Sequence, residues 1–464
     1  MLQKKFVVKM SQYELILLKE HTEQELSFNL HFNDFESRNL FKIIKKANKS
    51  VISTNYHIGA HWLLENEKAV LVEPKVENLD FVKLFWSAIR FSSEKSDDYF
   101  VLNDKYSFSL DKKKISVPTS FTNSVSLFLV IIYLFLLKKI ARKGIKKGYI
   151  RTEQNLKLKI KGKINYSKTI HENHLKGKFE KTICSYSELT ENIPENRLLK
   201  RALNISSSII RNLINKNFDV TVEIKSNLDY LKRKFSKVSD DFLSSEINSV
   251  RQNKIYSDYA EAMKIAKVIL KTNGYSPLKN SDVFNLVFPF WIDMSAMFEM
   301  YVYEMLENAY PNTILFQVEG FGNTRVDFIK NSEEEKVIID TKYKLWYKKN
   351  SSELVKEHNN RLNSFFRKKN TSDNFTYFLE DIRQISGYAR DSKILNYFHF
   401  SDEERRQSVP CIIIYPIDIS NDSKSGKGFD SFDPQKTLIE QAEKIDGYDN
   451  FYKIGVYLPT IGKS

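Results

Sequence analysis

Two aspartates and a lysine occupy neighbouring strand-like runs in the last third of the chain. The run RVDFIK carries Asp327, and the run KVIIDTKY carries Asp340 and Lys342. Because side chains alternate along a strand, Asp340 and Lys342 share one face with Ile338. The polar link NSEEE between the runs predicts a hairpin, which would bring Asp327 and Asp340 together at one strand end.

Carboxylates that converge in this way repel each other unless a cation lies between them. Mg²⁺ suits such a position, since it takes one or two carboxylates together with water and phosphate oxygens. It would lower the pKa of a bound water and stabilise charge on an attacked phosphate, while Lys342 would position or activate that water and offset developing negative charge. The pattern therefore predicts a phosphodiester-cleaving site with Mg²⁺ as cofactor. A bare D…DxK match is otherwise typical of a salt bridge at a strand terminus, so the flanking elements must decide.

Two predicted helices carry further polar side chains toward these strands. The helix WIDMSAMFEMYVYEML has an apolar stripe at helical spacing, with Glu299 at its edge. The later helix LEDIRQISGYAR places Gln384 and Tyr388 four residues apart on one face. Taken singly, Glu299 is typical of a solvated glutamate and Tyr388 of a core residue. Together with the strands they form a pattern.

That pattern resembles the PD-(D/E)XK nuclease superfamily, in the variant with a helical Glu and a trailing Q-x-x-x-Y. The resemblance implies that Glu299, Asp327 and Asp340 bind the metal and that Lys342 is catalytic. It gives Gln384 and Tyr388 supporting roles. The proline that usually precedes the first aspartate is Val326 here, a departure that removes no ligand.

The elements that must position these residues form the C-terminal part of the chain. A helix over 288–308 is followed by the runs ILFQVEGF, RVDFIK and KVIIDTKY, then by the second helix, and finally by VPCIIIYP and YKIGVYL. The order α, β, β, β, α, β, β predicts one α/β nuclease domain over residues 276–464, built on a mixed central sheet.

The rest of the chain differs in pattern. Residues 1–115 contain alternating runs such as FVVKM, YELILLKE and KAVLVEPKV, with helical pieces predicted at FESRNLFKIIKKA and DFVKLFWSAI. Helices are predicted to dominate 116–275, including ENRLLKRALNISSSIIRNLI and a charged stretch over 225–272. The predicted fold class is therefore α+β with three domains: a mixed β/α N-terminal domain, a basic helical middle region and the nuclease domain.

The composition bears on the class of partner and on the cellular location of the chain. The 464 residues carry a formal net charge of +14, which is typical of proteins that bind a polyanion such as DNA. Only two cysteines are present, so a disulfide framework is excluded and a cytoplasmic location is expected. The run VSLFLVIIYLFLL, at 125–137, is shorter than the roughly 20 residues that a membrane span needs, and predicts a buried helix.

The positive charge is concentrated in one segment. Residues 138–181 contain 15 Lys and Arg against three acidic residues, with Tyr149 and Tyr166 interleaved. Such segregation favours a surface that follows DNA phosphates over an ordinary solvated face. The predicted DNA-binding lysines are Lys157, Lys159, Lys161 and Lys163.

Several segments point to one family within this nuclease superfamily. KGKINYSKTI and YSELTENIPENRLLKRAL, then FEMYVYEML and the nuclease strands, resemble the McrC family; HIGAHWLLENEKAVLVEPKV matches more loosely. McrC proteins are the nuclease subunits of McrBC-type modification-dependent restriction systems. The resemblance implies that residues 1–115 dock on a hexameric McrB-like AAA+ GTPase and stimulate it. It also implies that the chain cuts modified double-stranded DNA. The nearest match to a phosphate-binding loop, NDSKSGKGFD, has Asn421 and Gly428 at key positions, so no nucleotide site is expected in this chain.

Two alternatives remain open at this point. The chain could be a DNA-binding adaptor and GTPase activator whose nuclease fold is only a scaffold, or a stand-alone PD-(D/E)XK nuclease. The full set of expected ligands argues against the first. The N-terminal region, which cleavage itself does not require, argues against the second. No zinc site is predicted, since the pair His57 and His61 lies in a strand-like run.

Overall fold

The structure is a computed structural model that describes the following residues: 7–9, 13–26, 40–46, 49–76, 79–81, 83–87, 105–214, 222–242, 257–273, 284–348, 353, 374–400, 408–417 and 428–460. The protein has a mixed α/β fold with several sheets. It divides into two compact units. The first combines Met1–Val117 with Val287–Ser464, and the second comprises Pro118–Leu286. The three-domain division at 115 and 275 stays a prediction.

The N-terminal part of the first unit contains a six-stranded and a three-stranded sheet. The larger has the order β1-β2-β7-β6-β14-β8, with bounds β1 Val7–Lys9, β2 Glu14–Lys19, β6 His57–Leu64, β7 Lys68–Glu73, β8 Tyr106–Phe108 and β14 Phe290–Asp293. The smaller comprises β3 Glu23–Glu25, β5 Lys49–Thr54 and β4 Phe41–Lys46, in that order. Strand β14 thus joins a sheet otherwise formed by the first 108 residues.

One predicted helix is wrong. FESRNLFKIIKKA was predicted as helical, but Phe41–Lys46 is strand β4, paired antiparallel with β5; residues 35–39 lie outside the described residues. The branched side chains of Ile43 and Ile44 favour a strand, and pairing with β5 overrides the helical spacing. Residues 83–87, within the predicted helix DFVKLFWSAI, are helical.

The C-terminal part of the first unit is built on a mixed six-stranded sheet of order β15-β16-β17-β18-β20-β19. Its strands are β15 Ile314–Glu319, β16 Arg325–Asn331, β17 Lys336–Thr341, β18 Cys411–Ile417, β19 Glu443–Lys444 and β20 Phe451–Tyr457. The β15-β16-β17 pairs are antiparallel, whereas β17, β18 and β20 run parallel. The predicted hairpin at NSEEE is confirmed.

Helices flank this sheet: α6 Met294–Ala309, α7 Asn374–Tyr388, α8 Ser392–Asn396 and α9 Leu438–Gln441. Helix α6 begins six residues later than predicted, because 290–293 is strand β14. Asp293 ends that strand and caps the helix, its side chain accepting the Ala296 N–H at 3.1 Å. On the α7 side, Ile382 and Ile385 pack in one core with Ile338 and Ile413.

The second unit contains helices α1 Thr119–Lys143, α2 Tyr166–Glu172, α3 Pro194–Ile214, α4 Val222–Lys234 and α5 Ser257–Asn273. Helix α1 holds the apolar run 125–137 and is buried along it, as predicted. Within the described residues, no helix is both long enough and apolar enough to span a membrane.

Helices do not fill the middle region as predicted. Strands β10 Gly148–Lys157, β12 Lys181–Thr190 and β11 Lys163–Ile164 form a three-stranded sheet in that order. The side chains of β10 are exposed or half-exposed on both faces, so its sequence lacks the apolar alternation that would have predicted a strand. The remaining strands are β9 Ile115–Pro118 and β13 Phe284–Val287.

Candidate active site

The site begins where the antiparallel pair β16-β17 separates. The last paired residues are Phe328 and Ile339, and the next positions in the same register are Asp327 and Asp340. Instead of continuing the backbone ladder, Asp327 Oδ2 accepts the backbone N–H and the hydroxyl of Thr341, both at 2.6 Å. A side chain therefore replaces a main-chain carbonyl at this point, and the two aspartates come to the same end of the sheet.

Asp340 ends the apolar run of β17 and is only 2% exposed. It lies between two paired strands, since β17 is hydrogen-bonded to β16 on one side and to β18 on the other. Lys342 Nζ lies 2.6 Å from Asp340 Oδ2 as an ion pair. That ion pair satisfies Oδ2, and a second carboxylate, Asp327, lies close enough for its charge to raise the pKa of Asp340. Two carboxylates and one ammonium thus meet at the sheet end.

Helix α7 holds the other side of Lys342. The lysine ammonium donates to Gln384 Oε1 at 3.0 Å, and Gln384 Nε2 donates to the Tyr388 hydroxyl at 2.7 Å. The spacing of four residues places Gln384 and Tyr388 on one face of the helix. The structure therefore brings the predicted Q-x-x-x-Y pair into one hydrogen-bonded chain that ends on Lys342.

Glu299 approaches from helix α6. Its Oε1 accepts a hydrogen bond from Gln317 Nε2 of β15 at 3.1 Å. Burial raises the pKa of Glu299 to about 7, although the hydrogen bond from Gln317 and the charge of Lys105 act in the opposite direction. The carboxylate is also close enough to Asp327 to raise the pKa of that aspartate.

Both aspartates have strongly raised pKa values. Burial is the main cause at Asp327, whose pKa is raised to about 7 against the hydrogen bonds from Thr341. Burial followed by the charge of Asp327 raises the pKa of Asp340 to about 7 as well. Burial alone would lower the pKa of Lys342, but Asp340 and Asp381 outweigh it and raise that pKa above its usual range. Lys342 is accordingly a protonated ammonium, and its positive charge stabilises the ionised form of the neighbouring carboxylates.

Asp381 is a further buried acid that the sequence reasoning did not identify. It is 6% exposed and accepts hydrogen bonds from Lys344 Nζ, at 2.9 and 2.6 Å, and from the Tyr347 hydroxyl at 2.6 Å. Its Oδ1 also lies 3.9 Å from Lys342 Nζ. The available signal was its position three residues before Gln384, which places both on the same helical face.

The acidic side chains of Asp327, Asp340 and Glu299 are the candidate metal ligands. Among the described residues, no three His, Cys, Asp or Glu side chains converge closely enough to hold a metal as they stand. Mg²⁺ does not require such a cage, because it keeps several waters and is commonly held by one or two carboxylates. Asp340, with Asp327 beside it, fits that requirement. Glu299 is at present bonded to Gln317 and would complete the set only by turning.

The predicted DNA-binding lysines lie in the second unit, at the turn between β10 and β11. Lys157 ends β10 and Lys163 begins β11, with Lys159 and Lys161 between them, and all four are exposed. The neighbouring apolar side chains of Leu158 and Ile160 are also strongly exposed. We name residues 148–190, which contain this sheet and helix α2, the basic arm.

Comparison with known proteins identifies the family. A family model described as "McrBC 5-methylcytosine restriction system component" matches residues 63–364, about two thirds of the chain. The chain belongs to the McrBC family. The family predicted from the sequence is therefore confirmed, and the chain is a McrBC restriction-system subunit.

Solved structures with similarity to this McrBC family member come from Thermococcus gammatolerans. One is a half-complex of a tetradecameric assembly of McrB AAA+ hexamers with bound McrC; it is 12% identical, covers 96% of this chain and 95% of that one, and has a TM-score of 0.35. A cryo-EM structure of the McrBC complex is 13% identical over 64% of this chain and 88% of the other, with a TM-score of 0.31. No curated protein matches the chain.

Proposed function

We propose that this chain is the DNA-cleaving subunit of its McrBC restriction system, a Mg²⁺-dependent endodeoxyribonuclease with a PD-(D/E)XK site. Asp327, Asp340 and Glu299 would hold the metal, and Lys342 would act on the reacting phosphate. The observation that carries the proposal is the meeting of two carboxylates, Asp327 and Asp340, at one sheet end, with the Lys342 ammonium 2.6 Å from Asp340 Oδ2. Carboxylates this close repel each other unless a cation offsets their charge.

The side chains have separate tasks in this scheme. When bound, Mg²⁺ would supply Lewis acidity and a more acidic water. Asp327 is held by Thr341, so its free oxygen keeps a fixed direction. Lys342 is oriented by Asp340 and Gln384, and its raised pKa keeps it charged. It would therefore stabilise the negative charge that develops on the phosphate.

DNA and a nucleotide-hydrolysing partner complete the proposed system. The exposed lysines of the basic arm would bind the phosphate backbone without reading sequence. A McrB-like AAA+ GTPase hexamer would supply recognition of modified DNA and nucleotide hydrolysis, since the sequence of this chain has no P-loop motif. The candidate loop at 421–427 lies outside the described residues. Docking of that partner on residues 1–115 is part of the proposal.

Substitution at the two central positions tests the chemistry. Asp340→Asn and Lys342→Met should each lower the cleavage of 5-methylcytosine-containing plasmid by about 100-fold or more, because charge stabilisation at the phosphate is lost. The assay uses the full chain with its AAA+ partner, GTP and Mg²⁺. DNA affinity should change little, and thermal unfolding checks that each variant is folded at the assay temperature, since breaking a buried ion pair lowers stability.

Glu334→Gln, at an exposed residue of the β16-β17 turn, is the control and should cleave like the wild type. Wild-type cleavage rates in both site variants would contradict the assignment of the site. A wild-type complex that binds DNA and hydrolyses GTP but cuts nothing would favour the adaptor function.

A further inference from the structure

The residue after Lys342 is held by the N-terminal part of the same unit. Tyr343 is 2% exposed, and its hydroxyl donates to Glu20 Oε2 at 3.3 Å. Lys75 Nζ lies 3.6 Å from the centre of the Tyr343 ring and donates to the Tyr343 carbonyl at 2.6 Å. Three parts of Tyr343, its hydroxyl, ring face and carbonyl, are thus bound by two residues far away in sequence.

Glu20 and Lys75 are themselves fixed to each other. Glu20 immediately follows β2 and Lys75 comes two residues after β7, and these strands are parallel neighbours. The backbone N–H of Glu20 donates to the Glu73 carbonyl at 3.0 Å, and the backbone N–H of Lys75 donates to Glu20 Oε2 at 3.1 Å. We name Glu20 and Lys75 the N-terminal clamp.

Burial shifts the pKa values of both clamp residues. Burial raises the pKa of Glu20 to about 7 even though Lys75 opposes the shift, and burial lowers the pKa of Lys75 to about 8 against the influence of Glu20. Burying two charges costs free energy that ordinary packing would avoid. Such a pair is retained where it fixes a geometry, and here the geometry is that of the backbone beside Lys342.

The same segment is also held by Asp381 of α7, which binds Lys344 and Tyr347. Residues 342–347 therefore contact both the N-terminal clamp and Asp381, with Lys342 at the beginning of the segment. Within it, the Lys342 N–H is hydrogen-bonded to the Ile414 carbonyl at 2.9 Å. The Tyr343 carbonyl belongs to the Tyr343–Lys344 peptide, whose N–H donates to the Lys342 carbonyl at 2.6 Å. A shift of this peptide would break that hydrogen bond and move the Lys342 side chain from Asp340 Oδ2.

We propose that Glu20 and Lys75 are positioning residues for Lys342, acting through Tyr343, so that the N-terminal region is a structural part of the cleavage site. The inference rests on the proposed nuclease function. It assigns the first 117 residues a role in the chemical step, separate from any docking of a partner. Glu20 and Lys75 would act indirectly: they fix Tyr343 and the Tyr343–Lys344 peptide, which is hydrogen-bonded to the Lys342 carbonyl.

The main test is the double variant Glu20→Gln/Lys75→Met, which removes both buried charges together and leaves no unpaired ion. With the full chain, its AAA+ partner, GTP and 5-methylcytosine-containing plasmid, kcat should fall ~10- to 100-fold, since misplacing a reacting group by about 1 Å has effects of this size. KM for DNA should stay within about twofold, because DNA contacts are unchanged. Lys75→Arg, which keeps a cation and donors, should retain most of the activity.

The matched control is Lys68→Met, at the other end of the same strand pair. Lys68 Nζ lies 2.6 Å from Glu14 Oε2, so this variant also breaks an ion pair between β2 and β7 but does not contact Tyr343. It should leave kcat unchanged. A general loss of sheet stability would lower the activity of both variants and raise the fraction of unfolded protein in both.

Tyr343→Phe provides a second, nearly isosteric variant that removes only the hydroxyl bound to Glu20. It should lower kcat by a few fold at constant KM, and it decides the matter should the double variant fail to fold. Wild-type kcat in a folded double variant, or in Tyr343→Phe when only that variant folds, overturns the inference. A wild-type complex that cleaves no DNA overturns the proposed function itself, which is a different outcome.

Discussion

Buried charges in the first unit are of two kinds. Glu335, in the β16-β17 turn, is 5% exposed and fully bonded: it pairs with Lys330 Nζ at 2.5 Å and accepts the backbone N–H groups of Leu438 and Ile439 at 2.9 and 2.8 Å. Asp340 Oδ2 pairs with the Lys342 ammonium at 2.6 Å, but the charge of the neighbouring Asp327 raises the pKa of Asp340. The first arrangement is complete without a ligand, whereas the second gains from a cation. This contrast separates a structural acid from a candidate metal ligand.

Glu335→Ala should therefore destabilise the protein strongly without touching the reacting groups. It leaves the Lys330 ammonium buried and unpaired and two helix N–H groups without an acceptor, a loss of about 3–5 kcal/mol. Denaturant unfolding measures the change. Glu334→Ala, at the exposed neighbouring position, should change stability by less than about 0.5 kcal/mol. Equal unfolding midpoints for the two variants would contradict the structural role of Glu335.

Sequence reasoning reached some of these residues and not others for a physical reason. Asp340 and Lys342 interrupt an apolar run, and that interruption is visible locally. Glu20 is 323 positions from Tyr343, and no local pattern marks it. Its role arises from tertiary packing alone. The part of the site that depends on strand periodicity was therefore predictable, and the part that supports it from other sheets was not.

At the scale of elements, the C-terminal sheet was predictable because its strands are apolar and its hairpin link is polar. The middle region was not, because β10 exposes both faces and carries polar residues along most of its length. The helix predicted at 288–308 failed only at its start. There the aromatic residues of β14 fit helical spacing as well as a strand, and pairing with β6 and β8 decided the outcome.

The basic arm yields a prediction about DNA affinity. Changing Lys157, Lys159, Lys161 and Lys163 together to Gln should weaken nonspecific DNA binding and flatten its salt dependence. The slope of log K against log salt should fall by up to about 3–4, because each phosphate contact contributes roughly 0.9. Binding titrations between low and moderate salt measure the slope.

Four exposed lysines outside the arm, changed together to Gln, form the control with the same change of net charge: Lys42, Lys225, Lys234 and Lys237. A slope that decreases equally in both sets would show that the arm has no privileged contact with DNA. The proposed DNA surface would then have to be sought elsewhere in the chain.

For the whole molecule, the grouping of Met1–Val117 with Val287–Ser464 changes how partner docking can be examined. Removing residues 1–115 would leave β14 without its sheet neighbours and Tyr343 without Glu20 and Lys75. Loss of cleavage by such a deletion would thus report damage to the site as readily as loss of a partner. The full chain is the appropriate material for testing partner dependence.

The isolated chain should be a poor nuclease with Mg²⁺ alone and should gain activity with an AAA+ GTPase partner and GTP. The reason is a division of functions: the chain has a candidate cleavage site, but its sequence has no P-loop motif and shows no evident aromatic pocket for a flipped modified base. GTP turnover by the partner should rise when the chain is added. The measurements are plasmid cleavage and phosphate release, each with the chain alone, the partner alone and both together.

Asp340→Asn separates the two effects. Asp340 lies at the proposed cleavage site, so the variant should lose cutting. It should still stimulate GTP hydrolysis to the wild-type level, since stimulation requires docking but no phosphodiester chemistry. Stimulation lost together with cleavage would mean that the sheet end carrying Asp340 also contacts the GTPase. Efficient cutting by the isolated wild-type chain without nucleotide would instead make it a stand-alone nuclease, because the site would then need no partner to become active.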